Sequence, residues 1–251
     1  MDKENRRKTK NNSNKKKVKK NHKKLKAFFM FLFVVIFLAV IILSAVVVAN
    51  FKVAMDEFDT SDLVIGQSNS TILDSEGNVI ATLNGDEKRK IISFEEMAEY
   101  LPKAYIAIED ERFEQHNGVD FKRTAAAILN FVTKAGSTSF GGSTITQQLV
   151  KNATSDNEKT IDRKIKEWAR AYKVEEVFSK HQILETYLNI IFVGQDYYGV
   201  ELGAQYYFNK PAKDLSLAQC AFLAGINHSP NAYKPFAEDP DGTKKEKIVK
   251  R

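Results

Sequence analysis

Carboxylates gather around an aromatic residue and a histidine in one short stretch, which reads Glu109-Asp110-x-x-Phe113-x-x-His116-x-Gly118. The negative charge beside Glu109 strengthens that side chain as a proton acceptor, so the sequence predicts a general base here. The alternative is a solvated acidic helix face without chemistry. For His116 we expect a structural hydrogen bond that orders the loop before Gly118.

A second polar stretch follows a pair of glycines and reads Gly141-Gly142-Ser143-Thr144-Ile145-Thr146-Gln147-Gln148. Four polar residues, at spacings i, i+3, i+4 and i+7, share one helical stripe: Thr144, Gln147, Gln148 and Lys151. The glycine pair leaves backbone N–H groups at a helix N-terminus, which suits phosphate or sugar oxygens. The alternative is an ordinary polar face on the surface.

A third stretch surrounds one carboxylate with cations. Arg163 and Lys164 lie four and three residues before Glu167, Arg170 lies three residues after it, and Lys166 is directly before it. Cations keep a carboxylate ionised, which makes Glu167 a poor base. The basic surplus favours an anionic ligand such as a pyrophosphate. The alternative is an exposed helix with i, i+4 ion pairs worth about 0.2–0.5 kcal/mol each.

The elements that carry these stretches are mostly helical. Ser93 with Glu96, Ser179, and Ser216 with Gln219 are predicted helix caps. Residues 122–135 and 158–178 have helical patterns, and in the second of these an apolar stripe is predicted for Ile161, Ile165, Trp168 and Tyr172. Residues 71–73 and 79–83 are strand-like, and the composition of residues 74–78 between them is typical of a turn. This pattern predicts a small β-hairpin. The fold class is therefore mainly α.

The N-terminal part differs in composition from the rest. Residues 1–26 carry 13 Lys and Arg against two acidic residues, so this tail alone contributes +11 to the total charge of +6. Such a polar tail is predicted to be disordered. Residues 27–49 have no charge and are long enough to cross a bilayer as a retained anchor. The division is a tail at 1–26, a transmembrane helix at 27–49, a linker at 50–70 and a domain at 71–251.

Charge and cysteine content exclude some classes. Outside the tail the chain is net acidic, so the folded part is not a basic nucleic-acid-binding surface. Because an apolar segment follows the basic tail, we interpret the tail as a topology signal for membrane insertion. By the positive-inside rule, the tail is then expected in the cytoplasm. The single cysteine, Cys220, excludes an intramolecular disulfide framework.

The ordered motifs resemble those of the peptidoglycan glycosyltransferase domain of class A penicillin-binding proteins and monofunctional transglycosylases. The resemblance covers about residues 70–240 and adds to the three stretches above the motif Lys180-x-x-Ile183-Leu184-Glu185-x-Tyr187-Leu188-Asn189. It implies a lysozyme-like, mainly helical domain with a small hairpin, after one transmembrane helix. The implied activity is polymerisation of lipid II into glycan strands by inverting transfer, with release of undecaprenyl pyrophosphate, in bacterial cell wall synthesis.

The resemblance also implies roles for particular residues. Glu109 matches the general base, and Glu167 matches a second carboxylate near the donor pyrophosphate and its divalent cation, Mn²⁺ or Mg²⁺. No direct metal ligand is implied, and Glu167 would meet the cation only through the pyrophosphate. The link at 135–140 is expected to close over the donor. Substrate-binding roles are implied for Ser143, Thr144, Gln147, Gln148, Lys151, Arg163, Lys164, Lys166 and Asn189.

The implied setting is the bacterial plasma membrane, with a single pass, a cytoplasmic N-terminus and an extracellular catalytic domain. The implied partners are lipid II, the growing lipid-linked glycan and the membrane itself. Proteins of cell-wall synthesis or division are further candidates, and nucleic acid is not.

The sequence departs from the family pattern at one place. Asn227 and His228 stand where the family usually has Pro-Gln, and we expect a local loop change without loss of activity. The domain is expected to be incomplete at its C-terminus, before the last motif ends.

Three alternatives stay open: the N-terminal portion of a bifunctional penicillin-binding protein, a catalytically inactive membrane-anchored glycan-binding protein, and a lytic muramidase. Intact Glu109 and Glu167 argue against the second. The need for a lipid-pyrophosphate donor distinguishes the proposed enzyme from the third.

Overall fold

The computed structural model of the protein describes residues 3–63, 70–83, 88–133, 142–154, 158, 160–230 and 246. Contacts divide the chain into two compact units, Met1–Asn50 and Phe51–Arg251. The predictions for the link at 135–140 and for the incomplete end of the last motif lie outside the described residues.

The first helix, α1, spans Lys3–Asp56. Its backbone is helical through most of the basic tail, where the sequence predicted disorder. The difference has a simple physical reason, because lysine is a good helix former and the tail contains neither glycine nor proline. Within α1, the 32 residues Leu25–Asp56 are long and apolar enough to cross a membrane.

Two small sheets belong to the second unit. The predicted hairpin is confirmed: β1 (Ser70–Leu73) pairs antiparallel with β2 (Val79–Leu83). A three-stranded sheet was not predicted. In it β5 (Tyr197–Tyr198) lies between β3 (Lys88–Arg89), which is parallel to it, and β4 (Phe192–Gly194), which is antiparallel. Strands of two or three residues leave no periodicity that sequence reading can detect.

Helices form the rest of the described part of this unit, which confirms the mainly helical class. They are α2 (Tyr100–Glu109), α3 (Phe121–Thr133), α4 (Ile145–Thr154), α5 (Ile161–Val177), α6 (Lys180–Ile190), α7 (Val200–Phe208) and α8 (Leu217–Ile226). Short 3₁₀ turns occupy Thr60–Leu63, Phe94–Glu96, Phe113–Gln115 and Ala212–Asp214.

The predicted caps are confirmed. Ser179 Oγ accepts from the backbone N–H of Gln182 at the start of α6, and the Gln182 side chain reaches back to the Ser179 N–H. Ser216 forms the same reciprocal box at the start of α8. Ser93 caps the 3₁₀ turn that precedes α2. These caps satisfy N–H groups that a helix leaves without partners at its first turn.

The predicted apolar stripe of α5 is wrong. Ile161 is 83% exposed and Tyr172 is 39% exposed. The buried face instead carries Glu167, Ala171 and Val174, which are also spaced i, i+4 and i+7. The helical period was therefore correct and the choice of face was not. Small residues on the buried face allow the neighbouring helices to approach closely, although their apolar signal in the sequence is weak.

The core of the second unit lies where α4 packs on α5 and α6 and where α2 packs on α8. Tyr105 and Tyr187 are both fully buried, with ring centroids 6.2 Å apart in an edge-to-face arrangement. Ile145 and Leu149 anchor α4 in this core. Each such side chain contributes about 1.5–3 kcal/mol through burial. This packing fixes the C-terminus of α2 and the N-terminus of α4, which carry the candidate site.

Candidate functional site

Glu109 is the last residue of α2, and Asp110 directly after it is completely buried. Asp110 Oδ2 accepts from the backbone N–H of Ile145 at 3.0 Å and lies 3.0 Å from Nε2 of His116. One carboxylate thus joins the end of α2 to the start of α4. The predicted structural hydrogen bond of His116 is confirmed by this contact, because its side chain is only 8% exposed and faces Asp110.

The loop after His116 passes close to α5. Gly118 has φ of +82°, and a Cβ at this position would lie 2.6 Å from the carbonyl oxygen of Ala171. Its own carbonyl accepts from Thr144 Oγ1 at 2.6 Å. Only glycine fits both the backbone conformation and the contact, which explains the residue type in the first motif.

The N-terminus of α4 is capped by its own side chains. Gln147 Oε1 accepts from the N–H of Thr144 at 3.0 Å, and Thr144 Oγ1 accepts from the N–H of Gln147 at 3.1 Å. Both side chains are fully buried. Two members of the predicted stripe are therefore turned into the protein, and the N–H groups of Thr144, Ile145 and Gln147 have protein acceptors. A buried helix terminus requires such partners.

Gln148 lies differently from its neighbour. It is half-buried, and its Nε2 donates to Oε2 of Glu109 at 3.0 Å. Its Oε1 accepts from the hydroxyl of Tyr187 on α6 at 2.9 Å. Asn227, at the end of α8, in turn donates through Nδ2 to the Tyr187 hydroxyl at 3.0 Å. The structure thus joins Glu109 and Gln148, which were predicted separately, and links them through Tyr187 to the end of α8.

The sequence analysis named Tyr187 only as a member of the fourth motif and gave it no role. Burial, followed by the nearby charge of Glu109, raises the pKa of Tyr187 well above its ordinary value of 10.0. The hydroxyl therefore stays protonated and can act as a hydrogen-bond donor to Gln148. A signal was present in the sequence, because Tyr187 belongs to the fourth motif, but the motif alone does not reveal the partner.

Glu167 forms the second charged centre. It is 3% exposed, and its two carboxylate oxygens accept from Arg163 and from Lys164. Lys164 Nζ also donates to Ser143 Oγ at 2.9 Å, which connects α5 to the residue just before the cap of α4. Two of the cations predicted around Glu167, Arg163 and Lys164, therefore contact it, and Lys164 also contacts Ser143 of the second motif.

The remaining predicted binding residues lie in other environments. Lys166 Nζ pairs with Asp162 at 2.7 Å on a solvent-accessible face of α5, and Lys151 is exposed in the last turn of α4. Asn189 is 1% exposed and bonds the backbone of Ile92 through both its amide atoms, at 3.0 and 2.8 Å. These contacts give Asn189 a structural role. Substrate binding by Asn189, Thr144 and Gln147 stays a prediction without support from their geometry.

A buried polar cluster behind α4 was missed. Glu175 Oε1 accepts from Thr146 Oγ1 at 2.6 Å and from Lys180 Nζ at 2.7 Å. Lys180 also donates to the carbonyl of His116 at 2.6 Å and lies 4.4 Å from the ring centroid of Phe113. The cluster fixes α4, α5, α6 and the loop of the first motif relative to one another. Its members are adjacent only in the tertiary structure.

A resident divalent metal does not fit the described residues. Among them, no group of three or more His, Cys, Asp and Glu side chains could hold an ion. Both oxygens of Glu167 already accept from cationic side chains. Hard divalent cations take oxygen ligands, so such an ion near Glu167 would need most of its ligands from a bound molecule.

The two centres suit different tasks. Glu109 accepts from a neutral amide at the end of a helix, an arrangement that leaves a carboxylate able to take up a proton. Glu167 holds two cations in fixed positions on α5, an arrangement suited to orienting positive charge toward an anion. A proton acceptor and a set of oriented cations are the groups needed to transfer a glycosyl unit from a phosphate leaving group.

Comparison with known proteins agrees with this assignment. A family model described as Transglycosylase matches residues 76–251. Penicillin-binding protein 1A of Clostridium acetobutylicum is 42% identical over 179 residues, which cover 68% of this chain and 22% of that protein. Penicillin-binding protein 1A of Neisseria lactamica is 41% identical over 179 residues, covering 71% of this chain and 22% of that protein.

The chain spans about a fifth of the length of these curated relatives. The family match confirms the lysozyme-like, mainly helical fold, and the apolar helix together with the relatives indicates a membrane-anchored protein. The chain belongs to the transglycosylase family, the peptidoglycan glycosyltransferase domains of class A penicillin-binding proteins.

Proposed function

We propose that this protein polymerises lipid II into glycan strands, with Glu109 as the general base and with inversion at the anomeric carbon. The observation that carries the proposal is the contact between Gln148 Nε2 and Glu109 Oε2, at 3.0 Å. It holds a carboxylate in one orientation at the end of α2, next to the N-terminus of α4. A positioned carboxylate is what proton removal from a sugar hydroxyl requires.

The proposed step transfers one glycosyl unit. The 4-hydroxyl oxygen of the acceptor sugar forms a bond to the anomeric carbon of the donor, and the bond from that carbon to the pyrophosphate oxygen breaks. Glu109 takes the hydroxyl proton, and the pyrophosphate leaves with the bonding electron pair. The arrangement parallels an inverting glycosidase, with a sugar hydroxyl in the place of water.

On the donor side, the proposal uses the cations around Glu167. Arg163 and Lys164 are partly exposed, at 16% and 31% of their side chains, while Glu167 is buried. Buried carboxylates orient exposed cations, and those cations can then stabilise the charge that develops on the leaving pyrophosphate. Ser143, which bonds Lys164, would lie beside the same phosphate oxygens.

The other predicted contacts are peripheral in this proposal. Lys151 and Lys166 are accessible on α4 and α5 and could attract the anionic substrate at longer range. By the positive-inside rule, the basic tail supports an orientation with the N-terminus in the cytoplasm and the domain on the outer face of the membrane. A membrane anchor keeps the domain where a lipid-linked substrate resides.

A divalent cation is proposed only as a companion of the substrate pyrophosphate. Among the described residues no group of three or more His, Cys, Asp and Glu side chains could hold it, so its ligands would come mainly from the substrate. The assay below includes arms with Mn²⁺, with Mg²⁺ and with a chelator, which decide whether turnover requires the cation.

The test is polymerisation of labelled lipid II by the full chain in detergent, with product length read on a gel. Glu109→Gln is compared with Glu111→Gln, an exposed carboxylate two residues away that serves as the matched control. We expect wild type and Glu111→Gln to make glycan and Glu109→Gln to lose about a thousandfold or more in rate. Equal activity of Glu109→Gln and wild type would disprove the base assignment.

Two alternatives give other outcomes in the same assay. A glycan-binding protein would retain lipid II in a pull-down without making polymer. A lytic muramidase would release soluble fragments from finished peptidoglycan and would not consume lipid II. Either result from folded wild-type protein would overturn the proposed function.

A further inference from the structure

Asn227 occupies a position next to the proposed catalytic base, although it lies far from Glu109 in the sequence. It follows the last residue of α8, has φ of −54° and ψ of −33°, and is half-buried. Its Nδ2 donates to the Tyr187 hydroxyl at 3.0 Å. Glu109 is the last residue of α2, and α8 packs on α2. The end of α8 therefore brings the Asn227 amide to the helix that carries Glu109.

The hydrogen bonds among Glu109, Gln148, Tyr187 and Asn227 all run in one direction. In this order, each side chain accepts from the next. An ionised carboxylate only accepts, so Gln148 must turn its Nε2 toward Glu109. Its Oε1 then faces Tyr187 and accepts from the hydroxyl at 2.9 Å. The hydroxyl oxygen is left as an acceptor, and the NH₂ group of Asn227 supplies the donor.

Each bond in this series makes the next one stronger. The Asn227 amide polarises the Tyr187 hydroxyl toward donation, and the hydroxyl polarises the Gln148 amide in the same sense. The series also prevents rotation of the Gln148 amide, which would place Oε1 against the Glu109 carboxylate. All three bonds lie in partly buried surroundings, where such effects are larger than in water.

We propose that Asn227 is a positioning residue for the glycosyl transfer, which acts on Glu109 through Tyr187 and Gln148. The inference rests on the proposed function, since it assigns Glu109 as the base. Sequence analysis expected this departure from the family's usual Pro to change only the local loop. Proline has no side-chain donor, so the hydrogen bond to Tyr187 is a property of the asparagine in this chain.

A purely structural role makes a different prediction from a positioning role. If Asn227 only closes the end of α8, its loss lowers stability and leaves the pH profile unchanged. If it acts through the series, its loss weakens the hydrogen bonding to the ionised form of Glu109. The acid limb of the kcat profile then moves to higher pH, because a carboxylate that loses hydrogen bonds is protonated more easily.

The experiment compares Asn227→Ala with His228→Ala in the full chain, using lipid II polymerisation across pH. His228 is exposed and is the neighbouring departure from the family pattern, so it is the matched control. For Asn227→Ala we expect kcat to fall about three- to tenfold, the value of one hydrogen bond, with KM little changed. His228→Ala should match wild type within about twofold.

Two further variants test whether Asn227 acts through Tyr187 and whether the direction of the hydrogen bonds matters. In a Tyr187→Phe background, Asn227→Ala should lower kcat by less than about twofold, because the partner of the amide is gone. Asn227→Asp should be worse than Asn227→Ala, because the new carboxylate would attract the Tyr187 proton away from Gln148. An equal effect of Asn227→Ala in both backgrounds, or an unchanged acid limb, would overturn the inference.

A failure of the proposed function can be distinguished from a failure of this inference. If wild type makes glycan and Asn227→Ala behaves as wild type, only the inference fails. If wild type makes no glycan, the proposed function fails. The side-chain amide NMR signal of Gln148, followed through a pH titration, then decides the coupling. Its titration midpoint must rise in Asn227→Ala and stay unchanged in His228→Ala, and equal midpoints would overturn the inference without reference to activity.

Discussion

Lys164 Nζ donates to Ser143 Oγ at 2.9 Å while the same ammonium pairs with Glu167. Two motifs separated by about twenty residues thus meet at one cation. Because Glu167 is buried and the lysine side chain is 31% exposed, the carboxylate fixes the ammonium where a ligand can reach it. This contact is the basis for the first prediction.

Lys164→Met should raise KM for lipid II about tenfold and should reduce the salt dependence of binding. A charge-assisted hydrogen bond to phosphate contributes about 1.5–3 kcal/mol, and the lower end of this range corresponds to about tenfold. Initial rates over a range of lipid II and salt concentrations measure both effects. Lys173→Met is the control, since this lysine lies on the same helix with only a long contact of 3.9 Å to Glu176. A similar KM for both variants would contradict the prediction.

Lys180→Met should destabilise the domain by about 3 kcal/mol, because it leaves the Glu175 carboxylate without its cation. The Glu175 side chain is only 7% exposed, and Thr146 Oγ1 donates to the same oxygen. Chemical denaturation of the detergent-solubilised chain measures the free energy of unfolding. The double variant Glu175→Gln/Lys180→Met should lose less free energy of unfolding than the two single variants together. The reason is that neither charge then remains unpaired.

The matched pair for that experiment is Lys173 with Glu176, at 3.9 Å on the exposed side of α5. Exposed ion pairs contribute about 0–1 kcal/mol, so the corresponding variants should unfold nearly as wild type does. If breaking the exposed pair cost as much as breaking the buried one, burial would not be the reason for the effect.

Gly118→Ala should lower the free energy of unfolding by on the order of 3–5 kcal/mol. The residue has φ of +82°, and the added Cβ would lie 2.6 Å from the carbonyl oxygen of Ala171. Gly77→Ala isolates the backbone effect, because Gly77 has φ of +86° with no atom within 4 Å of the added Cβ. That control should cost only about 1–2 kcal/mol. Equal melting temperatures of the two variants would show that the approach to Ala171 is unimportant.

Asp120→Asn should lower the free energy of unfolding of the domain at neutral pH and leave it unchanged in strong acid. Burial alone would raise the pKa of Asp120, but the N–H of Arg123 and the guanidinium of Arg112 outweigh it and hold the pKa below the ordinary value of 3.8. A depressed pKa in the folded state adds stability above the unfolded value, and this stability is lost as pH falls through the folded value.

The measurement for Asp120 is the free energy of unfolding from neutral pH down through the range below 3.8. The difference in the free energy of unfolding between wild type and Asp120→Asn should be about 1–2 kcal/mol at neutral pH. It should decrease to zero on acidification. Asp196→Asn, at an exposed site, should follow the wild-type curve throughout. A gap that stays constant with pH would show that the ionised carboxylate is not the stabilising species.

The sequence by itself determined the features that depend on local physics. The apolar run inside Leu25–Asp56, the caps at Ser179 and Ser216 and the hairpin around Gly77 all follow from nearest neighbours in the chain. The motifs also pointed to Glu109 and Glu167 as candidates without reference to the fold. Local rules were sufficient because each feature is satisfied within a few residues.

Other features required the tertiary structure. The helical period groups Thr144, Gln147 and Gln148 on one stripe, but only packing decides that the first two are buried as a cap and that the third faces Glu109. The same holds for α5, whose buried face carries Ala171 rather than Tyr172. A period fixes which residues share a face, whereas the partner helices decide which face is buried.

The contact of Asn227 with Tyr187 is the clearest case of the second kind. Forty residues separate the two side chains, and each belongs to a different helix or helix end. In the sequence, Asn227 was only a departure from a pattern. Long-range hydrogen bonds leave no periodic signal, because the distance between two residues along the chain says nothing about how the helices that carry them pack.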